Sequence, residues 1–314
     1  MSTLDELEKS NNVISMYGDS NQPEPFIKTD EVQSPATVLL SLVEDAIERK
    51  LISPFITPGG EIFATFENQT VMLDSIVAKN ILRNLYRRAT GQVCGTEALN
   101  TVIGHLSGDP SLEMRDANVR IGHDVSGNVY VDLADGKNIV KIVPGQWSLT
   151  TPNECPIKFY RPRGVLALPV PLANGTLDSL PAFLNLGRDD NFQRLILFLA
   201  SVYSCGPQLV LLILGQSGTA KTFMMEIIRM IVDPNEAGVM TVPKDEPTLF
   251  LSCRNQYLIG IDNVNTIGAA RSDAHCRIAT GMGYRERKLY TNSDEFLYKI
   301  CRPQMFTAIK DVIT

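Results

Sequence analysis

A hydrophobic run that leads into a glycine-rich loop constrains the fold of this chain more than any other feature. Residues 209–214 are all apolar, which predicts a central strand covered on both faces of a parallel sheet. A helix is predicted over residues 223–232, beginning near Lys221. The loop between them reads Gly215-Gln216-Ser217-Gly218-Thr219-Ala220-Lys221-Thr222. A buried strand, a tight loop and a helix in this order predict an α/β fold.

The loop closely follows the phosphate-binding pattern G-x-x-x-x-G-K-[ST]. Gly215 and Gly218 let the backbone curl so that its N–H groups point at an anion, and the helix N-terminus favours negative charge. Lys221 would reach the β- and γ-phosphates of ATP, and the Thr222 hydroxyl would hold Mg²⁺. Ala220 stands where the pattern has a glycine, and its methyl group fits if the residue has right-handed helical angles. All eight loop residues are therefore predicted to bind the nucleotide.

A second strand, predicted over residues 257–263, ends in the carboxylate that such a site needs. Asp262 would bind Mg²⁺ directly or through water, although a helix cap or turn residue is the alternative interpretation. Asn263 stands where many ATPases carry a second acid, and an amide can orient water but cannot take a proton. The general base is therefore left open, with Glu286, Asp273 and Asp245 as weak candidates.

A third strand is predicted over residues 304–309 and should lie beside the strand of the hydrophobic run. A polar residue near its end would face the γ-phosphate. Thr307 is the candidate for this role, and Gln304 is the runner-up. The predicted catalytic residues are therefore Lys221, Asp262, Asn263 and Thr307.

A basic hairpin is predicted between the second and third strands. Two strand-like runs, 284–290 and 295–300, flank the polar turn 291–294. From Arg271 to Arg302 there are seven Lys or Arg against four Asp or Glu, in a chain of net charge −6. Basic residues that alternate with tyrosines suit a groove for a nucleic-acid backbone, although ordinary surface charge is the alternative. The candidate contacts are Arg285, Arg287, Lys288 and Tyr290.

The rest of the chain predicts a polar tail over residues 1–34 and an α+β accessory domain over 35–164. Helices at 35–51, 73–88 and 97–106 precede strands at 119–123, 129–133, 138–143 and 157–160, and a proline- and glycine-rich boundary leads to the domain 165–314. The alternative interpretation of the tail is a segment that binds a partner protein. The second helix carries Lys79, Arg83, Arg87 and Arg88, which we interpret as a solvated face with DNA contact as the alternative.

The composition is typical of an ordinary globular protein, and the length predicts about two domains. The 314 residues include six cysteines without a C-x-x-C pair, so we expect buried thiols in a reducing cytoplasm and neither a zinc site nor disulfides. We expect no membrane segment, because no apolar run is long enough. The net charge of −6 does not exclude nucleic-acid binding, because a local basic surface suffices.

These motifs together resemble the helicase-like ATPases of phages, plasmids and integrative elements, which are related to superfamily 3 helicases and primase-helicases of the AAA+ class. The resemblance covers about residues 165–310. Its matching segments are 215–222, the strand end 261–263, the helix 272–281, the hairpin residues 287–291 and Arg302-Pro303. It implies a P-loop NTPase (AAA+-like) core, ATP and Mg²⁺ as cofactors, and a hairpin that points into a central DNA channel.

The resemblance also implies a homo-oligomeric ring that hydrolyses ATP between subunits. A hexamer is one candidate, and a primase or another replication protein is a candidate partner. Because the chain ends at Thr314, we expect the ATPase domain to lack the C-terminal lid of this class, as in a fragment, a split gene or a degenerate relative. An interface arginine is expected beyond that point, with Arg277, Arg285 and Arg302 as fallback candidates.

The leading functional prediction is an ATP-driven DNA helicase, or a motor or loader, in replication of a mobile element, with single-stranded or forked DNA as its partner. A nucleotide-binding switch or scaffold with little hydrolysis is the first alternative. A small-molecule kinase is the second, and no lid with paired arginines follows at kinase-like spacing. DNA-stimulated ATP hydrolysis separates the first two predictions.

Overall fold

The structure, a computed structural model, describes residues 33–184, 186, 189–287, 295–298 and 300–310. These residues form two compact units, one of residues 33–57 and 61–115 and the other of residues 58–60 and 116 onward. The predicted tail, residues 1–34, lies outside the described residues except for its last two. None of the described helices is both long and apolar enough to cross a lipid bilayer.

The first unit combines helices with a small sheet, and its helices confirm those predicted from the sequence. The helices are α1 (Pro35–Glu48), α2 (Ile76–Thr90) and α3 (Thr96–Ser107), and the strands are β1 (Ile52–Ile56), β2 (Ile62–Phe66), β3 (Gln69–Met72) and β4 (Glu113–Met114). The strands lie in the order β3-β2-β1-β4. Ser34 and Ser75 cap α1 and α2, since each side chain accepts a hydrogen bond from a backbone N–H of the first turn.

The second unit begins with an antiparallel meander. Its strands are β6 (Ile121–His123), β7 (Val129–Asp132), β8 (Ile139–Val143) and β9 (Gln146–Thr150), each paired with the next. Residues 157–160 were predicted to continue this sheet, and that prediction is wrong: β10 (Lys158–Phe159) pairs in parallel with β5 (Ala117–Asn118). Arg120 has a left-handed φ of 61°, which turns the chain between β5 and β6 and separates β5 from the meander.

The remaining elements are helices and strands mixed along the chain. They are α4 (Leu180–Phe183), α5 (Asp190–Ser201), β11 (Val210–Leu214), α6 (Lys221–Val232), α7 (Glu246–Asn255), β12 (Ile259–Val264), α8 (Ala269–Thr280), β13 (Tyr284–Arg287), β14 (Glu295–Tyr298) and β15 (Gln304–Ala308). The helix predicted over 177–186 is only four residues long, and Pro181, which fits only in a first turn, accounts for its late start at Leu180.

Helix α8 also begins earlier than the sequence predicted. Ser272 and Asp273 were interpreted as its caps, whereas Gly268 is the N-cap and both residues lie inside the helix. The first turn is already closed at this point, because the Ser272 N–H donates to the Gly268 carbonyl at 3.0 Å. The C-terminal break at Gly281 is as predicted, with a left-handed φ of 74°.

A parallel sheet forms the centre of the second unit and gives the chain a mixed α/β fold. Among the described residues its strands lie in the order β11-β15-β12, all parallel. The prediction that β15 lies beside β11 is confirmed. The prediction that β11 is a covered central strand is wrong, because β11 is at the edge of the described sheet and Val210 and Leu214 are 39% and 50% exposed.

The compact units divide after Arg115, whereas the sequence placed the domain boundary at 164/165. The physical reason is the core of the second unit. Val131 and Val140 of the meander belong to the same buried cluster as Phe198 of α5 and Met225 of α6. The meander therefore packs with the helices of the parallel sheet and is not part of the unit that holds α1 to α3.

Candidate functional site

The predicted site residues lie together at the carboxyl ends of the parallel strands. Leu214, the last residue of β11, leads directly into the glycine loop. Thr307 of β15 is paired with Ile213, the residue before Leu214 in β11. Asp262 lies near the end of β12, the strand on the other side of β15. The structure therefore places the loop, Thr307 and Asp262 together.

The loop itself has the tight backbone that its glycines predict. Gly218 has a φ of 79°, which favours glycine. At Gly215 an added Cβ would lie 2.6 Å from the Thr219 Oγ1, so the loop closes too tightly there for a side chain. Ala220, expected to be right-handed, instead has φ 61° and ψ 26°. An alanine therefore occupies the left-handed position where the pattern has glycine, at a cost of roughly 1–2 kcal/mol.

Lys221 folds back over the loop. Its ammonium group donates hydrogen bonds to the Gly215 and Gln216 carbonyls, each at 2.8 Å. The positive charge thus lies against the loop backbone, and Lys221 belongs to the first turn of α6, where the helix N-terminus also favours an anion. This arrangement places a charged donor beside the loop and the N-terminus of α6.

Asp262 is held by two hydroxyl groups from different elements. The Thr222 hydroxyl donates to its Oδ2 at 2.9 Å, and the Thr307 hydroxyl donates to its Oδ1. Thr307 in turn accepts a hydrogen bond from the Asn263 N–H at 2.8 Å. The predicted pair for a metal ion, Thr222 and Asp262, is therefore in direct contact across 40 residues of sequence.

The donor set fits a nucleotide with Mg²⁺ better than a protein-only metal centre. Within the described part of the chain there is no group of three His, Cys, Asp or Glu that could enclose a cation. A divalent ion at Thr222 and Asp262 would take its other oxygen ligands from water and phosphate, which is how Mg²⁺ is commonly bound. The loop N–H groups and Lys221 are the complementary partners for phosphate.

Asn263 is exposed to solvent and has a left-handed φ of 57°. Asparagine tolerates this conformation better than most residues, so the backbone alone accounts for part of its presence. Its exposed amide is adjacent to Asp262, where it could orient a water molecule. As the sequence indicated, it supplies no base.

Three other predicted residues are engaged elsewhere. Gln304 lies at the amino end of β15, opposite Val210, and its amide exchanges hydrogen bonds with His275. Arg302 donates to the Cys253 and Gln256 carbonyls at the end of α7. Arg277 forms an ion pair with Glu246. Gln304 is therefore far along the strand from the loop, and both arginines have partners within this chain.

The three candidate bases, Asp245, Asp273 and Glu286, lie in different environments or outside the described side chains. Asp245 is the N-cap of α7, and hydrogen bonds from the Thr248 hydroxyl and N–H lower the pKa of its carboxyl group. This capping role accounts for Asp245 without catalysis. Asp273 is exposed on α8, and the side chain of Glu286 lies outside the described residues. The base therefore stays an open prediction.

The predicted hairpin is confirmed in its backbone. Strands β13 and β14 pair antiparallel, with Arg285 opposite Leu297 and Arg287 opposite Glu295. Lys288 and Tyr290 fall in 288–294, outside the described residues, as do the side chains of β13 and β14. The nucleic-acid contacts at Arg285, Arg287, Lys288 and Tyr290 therefore stay predictions.

A buried polar network in the second unit was not predicted from the sequence. Asp233, which directly follows α6, accepts hydrogen bonds from Arg120 and from the N–H groups of Tyr257 and Leu258. The network thus ties the helix after the glycine loop to the start of β12 and to the meander. A charged Arg120 in a predicted strand was the one available signal, and it gave no indication of its partner.

Comparisons with known proteins bear on the second unit. The family of actinomycete integrative conjugative element replication proteins matches residues 183–314, which include the glycine loop, Asp262 and Thr307. No curated protein matches the chain.

Solved structures of the NrS-1 C-terminal region show a weak likeness. The A-form apo structure has a TM-score of 0.42 and 11% identity, and covers 90% of this chain and 58% of that one. The apo structure of residues 305–718 has a TM-score of 0.41 and 12% identity, with 89% and 58% covered. The chain spans less than two thirds of these structures, and a similarity at this level does not establish a shared fold.

Proposed function

We propose that the second unit is a P-loop ATPase domain of the AAA+ type and that the protein acts as a DNA helicase, or as a related motor or loader, in replication of a mobile element. One observation carries the proposal: the glycine loop, Lys221 and the Thr222–Asp262 contact lie at one edge of a parallel sheet. The match to replication proteins of integrative elements over residues 183–314 supports the biological setting.

Each residue of the site has a defined task in this proposal. The loop N–H groups and Lys221 bind and orient the phosphates, and Thr222 and Asp262 hold the metal ion. Mg²⁺, when bound, supplies positive charge that neutralises the developing charge on the phosphates. Lys221 already lies over the Gly215 and Gln216 carbonyls, so it would exchange these neutral acceptors for an anion without leaving the loop.

Hydrolysis in this proposal needs a neighbouring subunit. Arg277 and Arg302 are engaged within the chain, so neither is a ready source of the charge that stabilises the transition state. An arginine supplied by a neighbour can be worth about 10³-fold or more in rate. A homo-oligomeric ring on DNA would supply it, and light scattering with and without ATP and DNA tests for that ring.

A nucleotide-binding switch is the second candidate function. It is favoured by Asn263, whose exposed amide stands beside Asp262 where a proton acceptor would help hydrolysis. In a switch, nucleotide binding would be tight and turnover slow with or without DNA. In a motor, DNA would stimulate hydrolysis, so a steady-state ATPase assay with and without single-stranded DNA separates the two.

The nucleotide site is tested by removing its charge. Lys221→Ala is expected to abolish tight ATP binding by calorimetry, because the point charge on the phosphates is lost. Asp262→Asn should spare nucleotide binding more than Mg²⁺-dependent hydrolysis. Lys137→Ala, at an exposed turn between β7 and β8, is the matched control. Unchanged ATP affinity in Lys221→Ala would refute the assignment of the loop.

The hairpin is tested by a double substitution. Lys288→Ala with Tyr290→Ala should lower DNA affinity and leave nucleotide affinity intact. It should also flatten the salt dependence, because each lost phosphate contact removes roughly 0.7–0.9 from the logarithmic slope. Arg87→Ala with Arg88→Ala, on the basic face of α2, tests the alternative DNA surface. A folded hairpin variant with unchanged DNA binding would leave the switch as the better interpretation.

A further inference from the structure

Strand β12 contains a bulge at the residue that carries the carboxylate. Ile261 pairs with Phe306 of β15, and the next pair is Val264 with Ala308. Two residues of β12, Asp262 and Asn263, therefore stand opposite the single residue Thr307. A bulge of this kind breaks the regular ladder and redirects a side chain. Here it coincides with the left-handed φ of 57° at Asn263.

The Thr307 hydroxyl occupies the gap that the bulge leaves. It accepts the Asn263 N–H at 2.8 Å and donates its only proton to Oδ1 of Asp262. Thr307 itself is completely buried, so its hydroxyl has no water partner to replace these two hydrogen bonds if they break. One hydroxyl thus satisfies a backbone donor and a carboxylate oxygen at once.

The two oxygens of Asp262 are consequently not equivalent. Oδ1 is bound from within the sheet by Thr307, whereas Oδ2 faces the Thr222 hydroxyl at 2.9 Å. Thr222 belongs to α6 and follows the glycine loop, so Oδ2 is the oxygen that is turned toward the phosphate side of the site.

We propose that Thr307 is a positioning residue that holds Oδ1 of Asp262, so that Oδ2 and the Thr222 hydroxyl stay together for a nucleotide-bound divalent cation. This inference rests on the proposed function. It differs from a direct contact of Thr307 with the γ-phosphate, because a hydroxyl has one proton and Asp262 takes it. A phosphate contact would require this hydrogen bond to break at a completely buried side chain.

Two substitutions separate the hydroxyl from the shape of the side chain. Thr307→Val keeps the shape but leaves Oδ1 without a donor and the Asn263 N–H without an acceptor. Thr307→Ser keeps the hydroxyl and loses one methyl group. Thr65→Val is the matched control, since Thr65 is also buried in a strand and shares a 3.0 Å hydrogen bond with the Thr70 hydroxyl in the first unit.

The experiment measures the affinity for a non-hydrolysable ATP analogue by calorimetry, once with Mg²⁺ and once with a chelator. Mg²⁺ should tighten binding in the wild type. Thr307→Val should keep the affinity measured in chelator and lose about tenfold or more of the Mg²⁺ effect, the factor expected for one hydrogen bond to a charged group. Thr307→Ser and Thr65→Val should both behave as the wild type.

Several outcomes would overturn the inference. An equal loss of affinity with and without Mg²⁺ in Thr307→Val would indicate a direct phosphate contact instead. A wild-type Mg²⁺ effect in that variant, or a lost effect in folded Thr307→Ser, would remove the positioning role. Thermal melting establishes which variants are folded, and Thr307→Ala, which also removes the hydroxyl, takes the place of the valine variant if that variant is not folded. If the wild type binds no nucleotide, the proposed function fails as well, whereas the other outcomes leave it standing.

Discussion

Replacing Arg120 by methionine is expected to destabilise the second unit by about 3–5 kcal/mol, the typical cost of breaking a buried ion pair from one side. The side chains of Arg120 and Asp233 are both 0% exposed, and the Arg120 Nε lies 3.0 Å from the Asp233 Oδ1. The guanidinium also donates to the carbonyls of Asp132, Leu166 and Pro234 at 2.9, 2.7 and 3.3 Å. Methionine fills much of the space but none of these hydrogen bonds.

Asp233 determines the size of the effect. It keeps its hydrogen bonds from the Tyr257 and Leu258 N–H groups, at 2.8 and 3.2 Å, after Arg120 is removed. Its buried charge would then lose its ion-pair partner, and the carbonyls of Asp132, Leu166 and Pro234 would each lose a donor. Methionine has the same difficulty as arginine with the left-handed φ of 61°, so the substitution isolates the side-chain contribution.

Urea unfolding followed by tryptophan fluorescence measures this change, because the single tryptophan of the chain, Trp147, lies on β9 of the same unit. Arg163→Met, at an exposed position, is the control and should shift the free energy of unfolding by no more than about 0.5 kcal/mol. The double variant Arg120→Met with Asp233→Leu should lose less than the sum of the single variants. A loss below about 1 kcal/mol in Arg120→Met, or full additivity, would refute the reasoning.

Two further predictions concern single residues near the sheet. Ala220→Gly should stabilise the protein by about 0.5–1 kcal/mol in thermal melting, because relief of the left-handed angle gains about 1–2 kcal/mol and the greater entropy of glycine in the unfolded chain costs about 0.4–1 kcal/mol. The control Ala89→Gly, in α2, should instead destabilise the protein. Destabilisation by both substitutions would contradict the left-handed angle. Burial, assisted by the Arg271 charge, lowers the pKa of His275 below its ordinary 6.5 despite the hydrogen bond to Gln304. The unfolded chain therefore binds the proton first, so stability should fall as the pH drops below about 6.5, and His275→Gln should reduce that slope in urea titrations at pH 5 to 7.5.

The sequence by itself determined the local elements, because their signals are local. Apolar periodicity located the helices and most strands, and Gly281 marked a helix end. The caps at Ser34 and Ser75 were recognised only in the structure. The glycine loop and the strand that carries Asp262 were predictable for the same reason, since the spacing of a few neighbouring residues is enough to recognise them.

Only the tertiary structure decided what these elements do to one another. Arg120 and Asp233 are 113 residues apart, and Thr307 and Asp262 are 45 apart, so no local pattern connects them. The order β11-β15-β12 and the bulge at Asn263 bring Thr307 against the carboxylate, and the same order leaves β11 at the edge of the described sheet. Ala220 takes a left-handed angle that its own preference opposes, because the surrounding loop fixes the backbone there. Strand order, register and backbone strain depend on contacts between distant segments, and a sequence read along one dimension does not contain them.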